Sequence, residues 1–166
     1  MDIEDVEPVL EYLNDEHFAV KGIFLTHAHF DHIYGLEALV VHYPQCKVYV
    51  TEYAKQALAS DKWNMSRYHG DCIYYDKDNV VVVHEGESLK LFEDESQMVF
   101  YETRGHNPGC LTMVMGDIIF TGDAYILGVG ANTRLPRSNK EQVEESLNRI
   151  LKLAEGKRIL AGHFVK

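Results

Sequence analysis

Cysteine is scarce in this chain: the 166 residues hold three, Cys46, Cys72 and Cys110. They are widely spaced, odd in number and fit no C-x-x-C pattern, so a disulfide framework is not expected and a reducing compartment is the default. No apolar run approaches the roughly 18 residues that a membrane-spanning helix needs. The first residues, Met1-Asp2-Ile3-Glu4-Asp5, are acidic where a secretory signal carries positive charge, so the expected location is the cytoplasm, with no membrane partner. Basic residues are also in short supply, 16 Lys and Arg against 26 Asp and Glu, giving a formal net charge of −10. Such a field repels polyanions, which sets nucleic acid aside as a partner. Internal repeats and low-complexity tracts are absent. What remains, 46% apolar and 25% charged residues, suits one globular domain over residues 1–166, long enough to bury a core without staples.

Apolar spacing predicts a strand and helix alternation in the first half. Ile3, Val6, Val9, Leu10 and Leu13 repeat at helical spacing, with Pro8 tolerable near the first turn. A buried strand is predicted over 22–26, a helix over 36–43, a strand over 47–51 and a helix over 52–59. Residues 61–78, with Trp63, Tyr68, Tyr74 and Tyr75, show no clean period and are expected to be irregular. The second half reads as short strands over 80–84, 88–92 and 98–103, then a hairpin of 111–115 and 118–121 around Gly116-Asp117. Ser138-Asn139-Lys140-Glu141 has the form of a capping box opening a helix, with Val143, Leu147, Ile150 and Leu151 as its apolar stripe and Gly156 closing it. A last strand over 158–161 delivers Gly162-His163.

The segment Thr26-His27-Ala28-His29-Phe30-Asp31-His32 places three imidazoles and a carboxylate directly after a strand. Imidazole nitrogen and carboxylate oxygen are the donors that suit zinc and similar first-row ions. His27 and His29, two apart in extended chain, can turn the same way, while Asp31 and His32 begin the next helix and reach a neighbouring point. Gly105-His106-Asn107-Pro108-Gly109, Thr121-Gly122-Asp123 and Gly162-His163 each put one more donor at a strand end, where a rigid frame positions it. Thr26, Tyr34 and Tyr125 adjoin donors and are candidates to support them, and Cys110 reads as a buried, inert thiol. His17, His42, His69 and His84 lack such company.

The ordered set His27, His29, Asp31, His32, His106, Asp123, His163 resembles the metallo-β-lactamase-fold hydrolases over about residues 22–163. The wording Phe120-Thr121-Gly122-Asp123-Ala124 and Gly105-His106-Asn107-Pro108-Gly109-Cys110 is most similar to the glyoxalase II and persulfide dioxygenase branches. The resemblance implies an α/β fold, the αβ/βα sandwich of that superfamily. It implies one metal held by His27, His29 and His106, a second by Asp31, His32 and His163, and Asp123 bridging both. Two zinc ions are expected, with iron or manganese as alternatives, and Asp31 and Asp123 carry the catalytic roles. The implied activity is hydrolysis of a small thioester or ester by a metal-bridging hydroxide, which a thiolate or alkoxide leaving group suits better than an amide. The alternatives are an iron-dependent oxygenase of the persulfide dioxygenase kind and a truncated, catalytically silent metal-binding domain.

Two departures from the family pattern add expectations. Only 26 residues precede His27, fewer than the N-terminal strands of the family need, so the first sheet should be shortened and its exposed edge open to a homodimer. The sequence otherwise reads as a fragment of a longer product, and the helical C-terminal region of glyoxalase II is not expected. In Gly128-Val129-Gly130-Ala131-Asn132-Thr133-Arg134, the guanidinium that glyoxalase-like relatives place directly after the second Gly falls instead at Arg134.

Overall fold

The computed structural model describes residues 6–92 and 96–163; Ile3, at the start of the expected first helix, lies outside them. From Val6 onward the helical spacing is realised as α1, Glu7–Asp15, with Pro8 in its first turn and Leu10 buried. Gly22–Phe24 (β1), Lys47–Val50 (β2) and Val80–Val82 (β3) form a three-stranded parallel sheet in that order. Between them run α2 (Phe30–Ile33), α3 (Leu36–His42) and α4 (Glu52–Leu58). Among the described residues this sheet has three short strands, with β1 and β3 at its edges.

The second sheet has five strands in sequence order: Ser88–Lys90 (β4), Gln97–Glu102 (β5), Leu111–Met115 (β6), Ile118–Gly122 (β7) and Arg158–Ala161 (β8). All neighbours are antiparallel except β7 and β8, which are joined by the crossover helix α5, Lys140–Leu153. A parallel pair needs such a crossover, whereas β6 and β7 close with a tight turn at Gly116, φ +58.

Three apolar clusters order these elements into layers. Leu36, Leu39, Val40, Ala54, Ala57 and Leu58 pack α3 and α4 on the outer face of the first sheet, beside Val48 and Val50. Between the sheets, Phe24 and Tyr49 meet Met98, Phe100, Leu111 and Met113, with Phe24 stacked on Tyr49 at 4.6 Å. Ile150 seats α5 on Ile119 and Cys110 of the second sheet. The result is helix, sheet, sheet, helix: an α/β sandwich. Among the described residues no helix is long and apolar enough to cross a membrane.

Local expectations shift in several places: β3 ends at Val82 rather than residue 84 and β4 at Lys90 rather than residue 92. β1 ends at Phe24 rather than residue 26, because the Thr26 carbonyl is taken by the Leu111 N–H at 2.7 Å and the chain there bridges the two sheets. The cap of α5 is Asn139, whose Oδ1 accepts the Gln142 N–H, and not Ser138, whose hydroxyl donates to the His106 carbonyl at 2.8 Å. Helix α5 stops at Leu153, before Gly156 turns the chain with φ +70.

Candidate metal centre

All seven donors named from the sequence lie at the same end of the sandwich, where loops leave β1, β5, β7 and β8. His27, His29, His32, His106 and Asp123 are buried, Asp31 is half-buried and His163 is exposed. Their donor atoms form three groups, each with every atom within 4.8 Å of the others: His27, His29 and His106; His27, His32 and Asp123; and Asp31, His32 and His163.

The innermost group fits a tetrahedral ion. His29 Nδ1 stands 3.0 Å from His27 Nε2 and 3.2 Å from His106 Nε2. Two nitrogens bound to one ion at about 2.0–2.1 Å would stand roughly 3.3 Å apart. The His106 tautomer is set by its surroundings. Nδ1 faces the Asn132 carbonyl at 3.0 Å, and a carbonyl only accepts, so Nδ1 carries the proton and Nε2 turns a bare lone pair inward.

Asp123 supplies the second test of fit. Its Oδ1 is buried and no hydrogen bond of ordinary length reaches it, His32 Nε2 being 3.5 Å away. Its Oδ2 lies 3.6 Å from His106 Nε2 and 3.4 Å from His163 Nε2. One carboxylate thus spans the inner and outer groups. A buried anion this poorly hydrogen-bonded is costly unless a cation compensates it. Asp31 Oδ2 completes the outer group, 3.4 Å from His163 Nε2 and 3.8 Å from His32 Nε2.

Protonation favours metal binding. Burial, reinforced by the neighbouring imidazoles, holds His27 well below its usual range and lowers His29 to about 3. Burial also lowers His106, against the pull of Asp123. Burial alone would raise the Asp123 carboxyl, but His32, His106 and His163 outweigh it and hold it below the usual carboxylate value. The inner imidazoles are therefore neutral and the carboxyl ionised near neutral pH, which is the state of a ligand. In metal-free protein the unfolded His29 binds a proton near 6.5 and the folded one only near 3. The unfolded state then holds more protons throughout that window, so stability should fall as the pH drops through it. Thermal melts of chelator-treated protein should give a lower midpoint at about pH 5 than at about pH 7.5; an equal or higher one contradicts the buried neutral cluster.

The supporting contacts differ from those expected. Thr26 Oγ1 stands 3.3 Å from His27 Nδ1, as its position suggests. Tyr34 instead points outward and donates to Asp71 Oδ2, and Tyr125 contributes its carbonyl to the Thr121 hydroxyl. The sequence reading missed Asn107. Its Oδ1 accepts the Gly109 N–H while its Nδ2 stands 2.9 Å from His29 Nε2; its place beside His106 in a Gly/Pro-stiffened turn was the available signal. Cys110 is buried and desolvation pushes its thiol up to about 12, consistent with an inert packing residue. Of the aromatic excursion, Tyr75 is core, Tyr68 and Tyr74 are exposed, and Trp63 stacks on Tyr53.

The chain is 26% identical over 163 residues to the hydroxyacylglutathione hydrolase of Psychromonas ingrahamii, covering 98% of this chain and 55% of the relative; it spans about half the length of the curated relatives it matches. Among solved structures it resembles TTHA1623 in a di-iron-bound form, at 27% identity and a TM-score of 0.82, covering 99% of this chain and 80% of that one. It also resembles the BLEG-1 B3 metallo-beta-lactamase, at 27% identity and a TM-score of 0.86, covering 99% and 79%. Residues 2–163 match the profile of the metallo-beta-lactamase superfamily, and the chain belongs to that superfamily.

Proposed function

We propose that the chain is a dinuclear metal-dependent hydrolase of small thioesters or esters. The observation that carries this reading is the position of Asp123 Oδ2, within 3.6 Å of His106 Nε2 and 3.4 Å of His163 Nε2, where one oxygen joins two donor sets. Two cations about 3.5–4 Å apart lower the pKa of a shared water toward neutrality and polarise a carbonyl. Zinc suits these nitrogen and oxygen donors, and iron or manganese are the alternatives.

His27, His29 and His106 would hold one ion from the buried side. Asp31, His32 and His163 would hold the other, with Asp123 shared. The side chains of Asp31 and His163 are 31% and 46% exposed, so substrate reaches the site from their side. There Asp31 would also accept a hydrogen bond from the attacking water and orient it. Cys110, the thiol next to the His106 turn, is buried with its pKa pushed up to about 12 and is not placed to act as a strong general acid. A leaving group that departs as a thiolate or alkoxide is thereby favoured over an amine. The likeness to hydroxyacylglutathione hydrolases supports the thioester class.

The test is an assay of metal-loaded protein on a panel of thioesters and lactones, with glutathione persulfide alongside. Chelator-sensitive thioester hydrolysis is the expected result. Sulfite formation from the persulfide, with iron bound and thioesters untouched, would replace this reading with an oxygenase. Metal uptake with no turnover of any substrate would favour the silent domain.

A further inference from the structure

The segment leading into α5 is basic in an acidic chain. Residues 134–140, Arg-Leu-Pro-Arg-Ser-Asn-Lys, hold three of the 16 basic residues and no acid. The segment is fastened to the donor cluster at both ends. The Asn132 carbonyl accepts from His106 Nδ1 at 3.0 Å, the Ser138 hydroxyl donates to the His106 carbonyl at 2.8 Å, and the Asn139 N–H donates to the Gly105 carbonyl at 2.7 Å.

Arg137 is the member of this segment held in one place. Its φ is +69, a region that costs a non-glycine residue roughly 1–2 kcal/mol. Its Cζ lies 4.0 Å from the centroid of the Trp63 ring, and its Nη1 donates to the Tyr53 hydroxyl at 2.9 Å. Tyr53 and Trp63 are themselves stacked at 5.4 Å with an interplanar angle of 11°, and both pack against the first core. The guanidinium therefore has one face and one edge fixed, with further donors left over. Arg67, Arg104, Arg149 and Lys77 pair with Asp61, Glu102, Glu85 and Glu37. No carboxylate among the described residues pairs with Arg137.

The shelf beneath it abuts two donor loops. Asn64, next to Trp63, accepts the N–H of Phe30 at 2.8 Å, and Phe30 sits between His29 and Asp31. The Tyr53 ring lies so close to Gly109, in the His106 turn, that a Cβ there would fall 2.9 Å from its Cδ1.

We infer that Arg137, seated on the Tyr53–Trp63 shelf, is a specificity-determining residue that binds a carboxylate of the substrate and selects anionic over neutral thioesters. This rests on the hydrolase reading above. A planar guanidinium fork matches a carboxylate, and the aromatic backing pre-organises it, so less side-chain freedom is lost on binding. A chain of net charge −10 otherwise repels an anionic substrate, which makes a local unpaired cation decisive.

The test compares S-lactoylglutathione, which carries free carboxylates, with the lactoyl thioester of N-acetylcysteamine, which carries none. Arg137→Gly removes the guanidinium and suits the positive φ, so loss of folding does not confound the result. The ratio of kcat/KM for the anionic over the neutral thioester should fall about tenfold in Arg137→Gly, mainly through KM, and recover in part in Arg137→Lys. An unaltered ratio overturns the proposal. Calorimetric binding of S-methylglutathione, which cannot be hydrolysed, provides an arm independent of turnover: metal-loaded wild type should bind about tenfold more tightly than Arg137→Gly. Equal binding, or none to wild type, overturns the proposal. If neither thioester is hydrolysed while binding still depends on Arg137, the hydrolase reading fails and the carboxylate subsite stands.

Discussion

Asp123→Asn is expected to lower turnover on the order of a thousandfold while leaving the fold intact, an effect comparable to losing one principal source of transition-state charge stabilisation. The side chains have the same shape, so packing is preserved. Their donor chemistry differs. Asparagine offers one neutral carbonyl oxygen, a far weaker ligand than a carboxylate for joining the two donor groups that Asp123 Oδ2 meets at His106 and His163, and an NH₂ group that cannot ligate. The amide also removes a buried ionised group whose Oδ1 has no ordinary hydrogen bond. The fold favours the ionised Asp123 carboxylate through His32, His106 and His163, so chelator-treated Asp123→Asn should melt somewhat below chelator-treated wild type as those interactions are lost. Steady-state kinetics and melts separate the two effects: a large kcat loss with only a modest fall in the apo melting temperature is expected, and near-wild-type turnover would remove Asp123 from the site.

Gly122→Ala should produce a large loss of stability. At φ +50, an added Cβ would fall 2.3 Å from Thr26 Oγ1 and 2.5 Å from its Cβ. The left-handed backbone costs a non-glycine residue roughly 1–2 kcal/mol, and forcing a methyl into packed surroundings typically adds about 1–3 kcal/mol. A sum near 3 kcal/mol corresponds to a fall in melting temperature of roughly 6–12 °C for a chain of this size. The consequence for the site follows from position. Thr26 precedes His27 and Gly122 precedes Asp123, so relief of the clash must move one of two donor loops against the other. Metal affinity should fall together with stability, whereas an alanine at Gly116, where a Cβ meets nothing within 4 Å, carries only the backbone cost. Calorimetric melts of the two variants check the difference; equal shifts would mean that the approach of β7 to Thr26 is not limiting.

Much of the donor set was legible because each member follows a strand and is marked by local punctuation. His27 leaves β1 through an extended stretch, while Gly105, Gly122 and Gly162 immediately precede His106, Asp123 and His163. The expected alternation of strand and helix is realised as the parallel first sheet, and the turn at Gly116 announced the β6–β7 hairpin. What escaped depends on contacts distant in sequence. Ser138 has the composition of a helix cap, but its hydroxyl is spent on the His106 carbonyl and Asn139 caps α5 instead. β1 looked longer than it is because Thr26 continues the apolar strand, yet its carbonyl pairs with Leu111 across the sandwich. Tyr53, Trp63 and Arg137 carry no common motif. Folding alone brings them together beside the His106 turn.

The most direct measurement is the metal content of wild type and Asp123→Asn, both purified without chelator and then equilibrated with zinc. Seven donors in inner and outer groups joined by one carboxylate should bind two ions per chain in wild type and fewer in the variant. Wild type that takes up no metal, or a variant that retains the full complement, would contradict the two-ion centre.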